Sequence, residues 1–481
     1  MYKIRRQLSI DDFIFPYGKL KADNRWVKMA DLIPWDDIEK EYAVGFVNNG
    51  APAHPARLAL GSLIVKQALG CSDEELVCQV AENAYIQFFI GLGEFQEECP
   101  FGASTLVAFR KRFTEENIAQ INEAILARQR RSDTDGDDTD GTGSPPAERT
   151  MTLDATVAPS DIAYPQDMRL LSEAREHLEK IIDFICAQSG SKKPRMYRNI
   201  ARKDYLVWSK SKRRTPPMTR KAIRKQLGYV SRDLTYIEAL VDEHACDLDA
   251  RQVKLLETIA TLHYQQSYMY EMRTHSVADR IVSIPQPWVR PMVRNKAKVK
   301  TEFGAKVSVS CDDKGFARIE GLSFDAFNES DDLIRAVEAY RKREGCWPER
   351  VLADKIYRNR ANLVWCKERN VRLSGPKLGR PPKDAALTKE AKTQERMDAA
   401  DRNTVEGVFG TAKRTYGLDP VAARLEETTK TVIGLSILVF NLKKLLVASL
   451  AIILEAVASI LRHFELMLSD CRRQSQLTQV I

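Results

Sequence analysis

Three acidic residues far apart in the chain stand in settings suited to one kind of chemistry. Asp154 closes the strand-like run Thr150-Met151-Thr152-Leu153-Asp154, and Asp354 closes Arg350-Val351-Leu352-Ala353-Asp354. Glu406 lies in a helical stretch, with Arg402 four residues before it and Lys413 seven after. Carboxylates are hard oxygen donors. Phosphoryl transfer uses a few of them to hold two Mg2+ ions several Å apart, with positions left open for phosphate and water.

The elements that carry these residues are legible to different degrees. On a helix of about 100° per residue, Val405, Val408, Phe409 and Ala412 form one apolar stripe, and Arg402, Glu406 and Lys413 cluster at its edge. Taken alone, this is equally a solvated face with an i,i+4 Arg–Glu pair worth ~0.2–0.5 kcal/mol. The two strands that each finish on Asp are what tip the reading toward a metal-binding trio.

The spacing Arg402-x3-Glu406-x6-Lys413 resembles the Arg–Glu–Lys signature of DDE transposases of the IS4/IS5 insertion-sequence superfamily, on its IS5-like side. So do LDATVAPSDIAYPQD around Asp154, VLADKIYRNR around Asp354 and RLSGPKLGRPPKD around Ser374, while residues 41–131 resemble the family's N-terminal helical domain. The position three residues before Arg402, usually Tyr in that family, is Ala399. The resemblance implies an α/β fold: an RNase H-like mixed sheet with a long helical insertion, preceded by an all-α DNA-binding domain. In that fold the strands carrying Asp154 and Asp354 are neighbours, and the Glu406 helix crosses them.

It further implies a transposase that binds the terminal inverted repeats of an insertion sequence and cleaves and rejoins DNA. Asp154, Asp354 and Glu406 would hold two Mg2+, with Mn2+ as a substitute. Arg402 and Lys413 are assigned to DNA phosphates or to orienting Glu406, and Tyr357 either to the terminal nucleotide or to the core. The expected partners are double-stranded DNA, both repeats and target, and a second copy of the chain when two ends are engaged. The alternative is a catalytically inactive, element-derived, sequence-specific DNA-binding protein.

Composition sets the outer bounds. A chain of 481 residues with 44% hydrophobic content has room for several domains and a sizeable core. Its 74 Lys and Arg against 66 Asp and Glu leave a net charge of +8, which suits a polyanionic partner. The nine cysteines show no Cys-x-x-Cys pair, as expected of reduced thiols rather than a disulfide frame or zinc site. Asp11 and Asp12 precede any apolar run, so no signal peptide is expected. The apolar tract 432–461 is interrupted by Asn441, Lys443, Lys444 and Glu455. Its longest uninterrupted run, Leu445–Leu454 with one Ser, falls short of the ~20 apolar residues of a membrane span, and the tract reads as buried helix. A bacterial cytoplasmic protein, on the nucleoid when DNA-bound, is the expectation.

Along the chain, residues 1–40 read as an N-terminal arm, to be packed on another domain or on DNA. Residues 41–131 read as a helical DNA-binding domain. It has a helix over 56–69 stopped by Gly70, a helix capped by Ser72, and one placed to be capped by Ser104. This last helix carries Leu106, Val107 and Phe109 on its apolar side and Arg110, Lys111 and Arg112 as candidate DNA contacts. Residues 132–148 form a linker without large apolar side chains. Its Asp-Gly-rich core lacks the Glu that ends an EF-hand loop.

Residues 149–418 make up the catalytic domain, with a helical insertion over about 165–275, since so long a connection needs structure of its own. Residues 191–232 of that insertion hold fifteen Lys or Arg, Arg213 and Arg214 among them, against the single acid Asp204. Tyr197, Tyr205, Trp208 and Tyr229 are interleaved, so the segment reads as a DNA-facing surface or a basic solvated hairpin. Strands are expected at 280–284, 303–310 and 316–322, with a second cationic segment at 288–300 that includes Arg290 and Arg294. A helix at 331–343, a strand at 350–354, a helix at 359–369 and a strand at 371–374 follow. Gly379-Arg380-Pro381 reads as a plain loop, and 419–481 as C-terminal helices that dimerise or complete the core.

Overall fold

The computed structural model describes residues 7–16, 18–46, 52–135, 149–244, 247–293, 301–375 and 385–448. Up to residue 135 it is helical: α1 (Arg25–Leu32), α2 (Trp35–Val44), α3 (Ala56–Leu69), α4 (Asp73–Glu82), α5 (Ala84–Phe89), α6 (Thr105–Arg112) and α7 (Glu115–Asp135). Helix α3 is apolar around most of its circumference and is buried all round, as the centre of a bundle must be. It stops at Gly70, whose φ of +64° lets its N–H return to Lys66 O at 2.9 Å. The Ser72 hydroxyl accepts from Glu75 N at 3.0 Å and opens α4.

Three expectations for this region are corrected. Ser104 precedes α6 in helical conformation and its side chain makes no cap bond, while Val107 faces solvent, so Leu106 and Phe109 alone carry the apolar side. Helix α7 runs through residues 132–135 of the stretch read as linker, because no helix breaker occurs before Gly136; the remainder, 136–148, lies outside the described residues. The stretch read as an arm folds into the bundle from Arg25 onward, with Trp26 and Trp35 set against Phe89 at ring distances of 5.3 and 5.7 Å.

The rest is built on a mixed sheet. β1 (Thr150–Pro159) lies at its centre. The insertion follows as α8 (Asp167–Ser189), α9 (Arg198–Ser209), α10 (Pro216–His244) and α11 (Ala250–Met272). Then come β2 (Arg290–Val293), β3 (Thr301–Cys311), β4 (Ala317–Ser323), α12 (Asp332–Glu344), β5 (Arg350–Ala353), α13 (Arg360–Glu368), β6 (Arg372–Leu373), α14 (Ala385–Thr415) and α15 (Glu426–Ala448). The strand order is β2-β3-β1-β5-β6, with β4 also paired to β3. β1 runs antiparallel to β3 and parallel to β5.

Strand alternation assigns the two faces. Ala158 of β1 and Ala305, Val307 and Val309 of β3 turn toward Val405, Val408, Phe409 and Ala412 of α14, and α15 adds Ile433 and Ile437. Met151 and Leu153 turn the other way with Val351 and Ala353, against Leu333, Ala336 and Val337 of α12. The expected strand at 280–284 is absent. Ile281 and Ile284 enter the core of the insertion and Val282 enters the α14 face, and Ile281 N donates to the Gln265 side chain rather than to a neighbouring strand.

Helix α15 is long and apolar enough to cross a membrane, yet 67% of its most apolar window is buried within the protein. It serves as a spine between bundle and sheet. Leu435, Leu438, Val439 and Leu442 enter the bundle core while Ile433 and Ile437 enter the sheet core. Asn441, fully buried, accepts from Ala317 N at 2.9 Å and donates to Ala317 O at 2.7 Å and to Asn122 Oδ1 at 2.8 Å, joining α15, β4 and α7. Of the two roles expected for the C-terminal helices, the described part completes the core.

Candidate active site

The parallel pairing of β1 and β5 matches Leu153 with Ala353, so Asp154 and Asp354 each stand one step beyond that pair, on chains about 5 Å apart. Alternation puts Asp154 on the face covered by α14. β5 ends at Ala353, and Asp354 caps the 3-10 turn Lys355–Tyr357, its Oδ1 accepting from Lys355 N at 2.6 Å. That turn is held from several sides. Asn362 donates to Tyr357 O at 2.9 Å and to Ser330 O at 2.8 Å, and Arg358 donates to Leu373 O and Ser374 O. The Ser374 hydroxyl accepts from Ala353 N at 2.9 Å and donates to Ala353 O at 3.1 Å, tying β6 to the last residue of β5.

Glu406 arrives by a different route. Arg372 on β6 makes a two-pronged contact with buried Asp398 of α14, at 2.7 and 2.9 Å, and Arg350 on β5 reaches Asp401 at 3.0 Å. Burial would raise the Asp398 pKa, but the hydrogen bonds from Arg372 and Gln394 and the charges of Arg372 and Arg350 together outweigh it and hold the carboxyl below its usual range. This clamp, with the apolar stripe beyond it, sets α14 on the sheet and brings Arg402 over the carboxylates. Arg402 Nη1 lies 3.3 Å from Asp354 Oδ1 and Nη2 lies 3.9 Å from Glu406 Oε1.

One guanidinium thus holds two half-exposed carboxylates, 48% and 57% accessible. Asp154 sits deeper, and burial pushes its pKa up. The charges of Glu329 and Asp354 act in the same sense, while the Ala155 N–H at 2.8 Å and Arg402 oppose them. A surplus of negative charge round one guanidinium is a setting that favours an added cation, and the donors are all hard oxygens suited to a divalent ion. Among the described residues, no three acidic, His or Cys side chains converge closely enough to hold one as they stand. Arg402 accounts for this, since its positive group occupies the place between Asp354 and Glu406.

Glu329 is a member that sequence reasoning missed. It lies on a short 3-10 turn after β4 and pairs with Lys306 Nζ at 3.1 Å, and nothing in its local sequence signals its nearness to Asp154. Tyr357, assigned either to the terminal nucleotide or to the core, takes the core. Its side chain is fully buried in the α12 face of the sheet, where burial and the nearby carboxylates push its phenol pKa far up, so it cannot stack on a nucleotide. Lys413 is half-buried two turns beyond Glu406 on α14.

The expected DNA contacts separate in the same way. Arg110 is buried, its guanidinium on Asp73, and Thr431 of α15 donates to its carbonyl, so it holds the bundle together rather than facing DNA. Lys111 is exposed, and Arg112 lies over the Phe46 ring at 4.1 Å. Arg213 and Arg214 are exposed on the insertion, Arg214 over Trp208 at 4.4 Å. Arg290 is partly buried and turns inward to Pro287 O, with Asp325 at 3.7 Å. Arg294 and the loop at Gly379 lie outside the described residues.

A mixed sheet with two aspartates in register and an Arg–Glu helix laid across them defines the class. The chain belongs to the DDE transposases of the IS4/IS5 type: the family described as Transposase DDE domain matches residues 351–443, and the Transposase domain (DUF772) matches residues 16–112. It is therefore an enzyme that acts on DNA with the help of divalent cations. A Rhizobium meliloti protein described as "Uncharacterized protein ORF8 in nfe locus" is 33% identical over 152 residues, covering 32% of this chain and 70% of that protein. No solved structure matches the chain.

Proposed function

We propose that this transposase binds the terminal inverted repeats of its insertion sequence and cuts and rejoins DNA at one site, formed by Asp154, Asp354 and Glu406 on an RNase H-like sheet. The observation that carries the reading is the register of β1 and β5, which sets the two aspartates side by side beneath the helix of Glu406. These three residues would hold two Mg2+ or Mn2+. When bound, such ions lower the pKa of an attacking water or terminal 3′-hydroxyl and stabilise the leaving oxygen.

The chain's own contribution is placement. Asp154 is poorly solvated, so a cation held there would offset the cost of burying its charge. Arg402 positions Asp354 and Glu406, and its guanidinium would contact a DNA phosphate near the scissile bond. Lys413 extends the same helix edge. The basic insertion grips the duplex, and a second copy of the chain pairs the two ends.

The test is a cleavage and joining assay on labelled element ends with and without Mg2+. Asp154→Asn, Asp354→Asn and Glu406→Gln should each reduce cleavage by more than about a hundredfold, because outer-shell changes at metal sites already cost 10–100-fold, while end-binding persists. Retained cleavage by one variant removes that residue from the site. End-binding by the unaltered chain with no cleavage under any divalent cation supports the alternative of an inactive, element-derived DNA-binding protein.

A further inference from the structure

Helix α9 presents a face that the fold leaves unused. Its inner side is fixed: Ala201 and Trp208 are buried, Trp208 Nε1 donates to Thr219 Oγ1 at 3.1 Å, and Gln226 on α10 donates to Ala201 O at 3.0 Å. Its N-terminus is pinned by Arg198 on Asp183 at 2.8 Å, and Tyr197, in the left-handed region at φ +54°, is flanked by the guanidiniums of Arg195 and Arg232. The opposite side carries Asn199, Ile200, Lys203, Val207 and Lys210, spaced three, four and seven apart on one outward stripe. Ile200 and Val207 are 53% and 58% exposed.

A single exposed apolar residue needs no explanation. Here two share a stripe with an amide and two lysines, and no acid faces the same way. The helix's one acid, Asp204, is turned aside onto Lys225 Nζ and the Tyr229 hydroxyl, each at 2.9 Å. Among the described residues, the exposed Arg202, Lys203 and Lys210 of this helix and its C-terminal end form no ion pair. The surrounding charge calls for a polyanion. Along the stripe, on either side of Lys203, lie the apolar and amide groups that touch base edges and thymine methyls in a major groove.

We propose that α9 is a base-reading helix of this transposase. Asn199, Ile200 and Val207 contact base edges of duplex DNA, and Lys203 and Lys210 contact the flanking phosphates. The inference rests on the proposed function, in that it takes duplex DNA as the partner, but it assigns sequence readout to the insertion rather than to the N-terminal bundle.

The test uses the full chain and a library of randomised duplexes, selected for binding, followed by affinity measurement across a salt series. The unaltered chain should enrich a motif. Asn199→Ala, Ile200→Ala and Val207→Ala should each lose preference at positions within one block of about three base pairs, with affinity for the enriched duplex down about tenfold and the salt dependence unchanged. Lys203→Ala and Lys210→Ala should weaken binding to all sequences alike and lower the log–log salt slope by about one. All five positions are exposed, and unchanged melting temperatures check that each variant is folded. The same motif and affinity in the stripe variants, with Mg2+-dependent cleavage intact in the unaltered chain, overturns the inference and leaves the transposase reading standing. No enrichment and no duplex binding by the unaltered chain overturns both. Should the chain self-associate without DNA, and Val207→Glu abolish that association without altering DNA selection, the face is an interface between copies and the inference fails.

Discussion

Helices α6 and α9 each carry cations beside aromatic rings, and the fold uses the two groups differently. At the end of α6, Arg110 is drawn into the bundle by Asp73, while Lys111 and Arg112, the latter over the Phe46 ring, stay exposed. On α9 the only acid is already satisfied by α10, and the lysines of the outer stripe face solvent. A run of basic residues in a sequence therefore measures charge available for two purposes. Whether a carboxylate or ring from a neighbouring element reaches it decides which purpose is served.

The sharpest way to break this contrast is to remove the inward cation. Arg110→Ala leaves Asp73 partly buried without its main partner, although Lys66 stays 3.6 Å away. The expected loss is about 2–3 kcal/mol of stability, read by urea denaturation, with the salt slope of DNA binding unchanged. If the variant is as stable as the parent and its salt slope falls by about one, Arg110 serves DNA after all.

The insertion has an inward charge of its own. Asp233 is fully buried on α10, and neither of its carboxyl oxygens has a hydrogen-bond partner. Burial pushes its pKa up to about 7, Arg232 at 3.7 Å opposes the shift, and Glu179 adds to it. An acid with a folded pKa above its unfolded one stabilises the fold below the unfolded value, near 3.8, and that contribution is lost as the pH rises to about 7. Asp233→Asn removes the ionisation. The stability of the variant relative to the parent should therefore climb between about pH 4 and pH 7 and level off above, by about 4 kcal/mol at most. A difference independent of pH would mean that Asp233 is solvated or paired.

At the acidic end of the sheet the roles are reversed, with one cation among carboxylates. Arg402→Ala removes two pairs at half-exposed positions, each worth up to ~1 kcal/mol. Mn2+ should then bind several-fold more tightly by calorimetry while cleavage slows, because the phosphate contact is lost. Weaker Mn2+ binding would show that Arg402 counts more in positioning the carboxylates than in competing for them.

These contrasts also explain what could be read beforehand. The stripe Val405, Val408, Phe409 and Ala412 was visible because a helical period is local, and all four residues are buried where that period puts them. Asp354 is visible as a strand end, but Asp154, read the same way, lies mid-strand because β1 continues to Pro159. Their adjacency was not visible, because it depends on pairing two strands 200 residues apart, and here the family resemblance supplied what periodicity could not. The clamp of Arg372 and Arg350 on Asp398 and Asp401 needs tertiary contact before it means anything. Glu329 sits on an irregular turn without a pattern. The run at 280–284 has the composition of a strand, yet its groups are satisfied by two cores and by Gln265. Tyr357 is an aromatic residue beside a catalytic candidate, and only burial distinguishes an anchor for the Asp354 turn from a surface for a base.

The smallest effect is expected at Lys111, and it tests the contrast most closely. Arg110 is occupied by Asp73, so Lys111 has only the exposed Arg112, itself held over Phe46, beside it at the end of its helix. A lysine that meets no phosphate releases no counterion. Lys111→Ala should therefore leave DNA affinity within about twofold across the salt series, whereas Lys210→Ala lowers the slope by about one. Equal slopes lost at both positions would place α6 on the phosphate backbone beside the insertion. The two helices would then form one DNA-binding surface, and the division between inward and outward cations would hold for Arg110 alone.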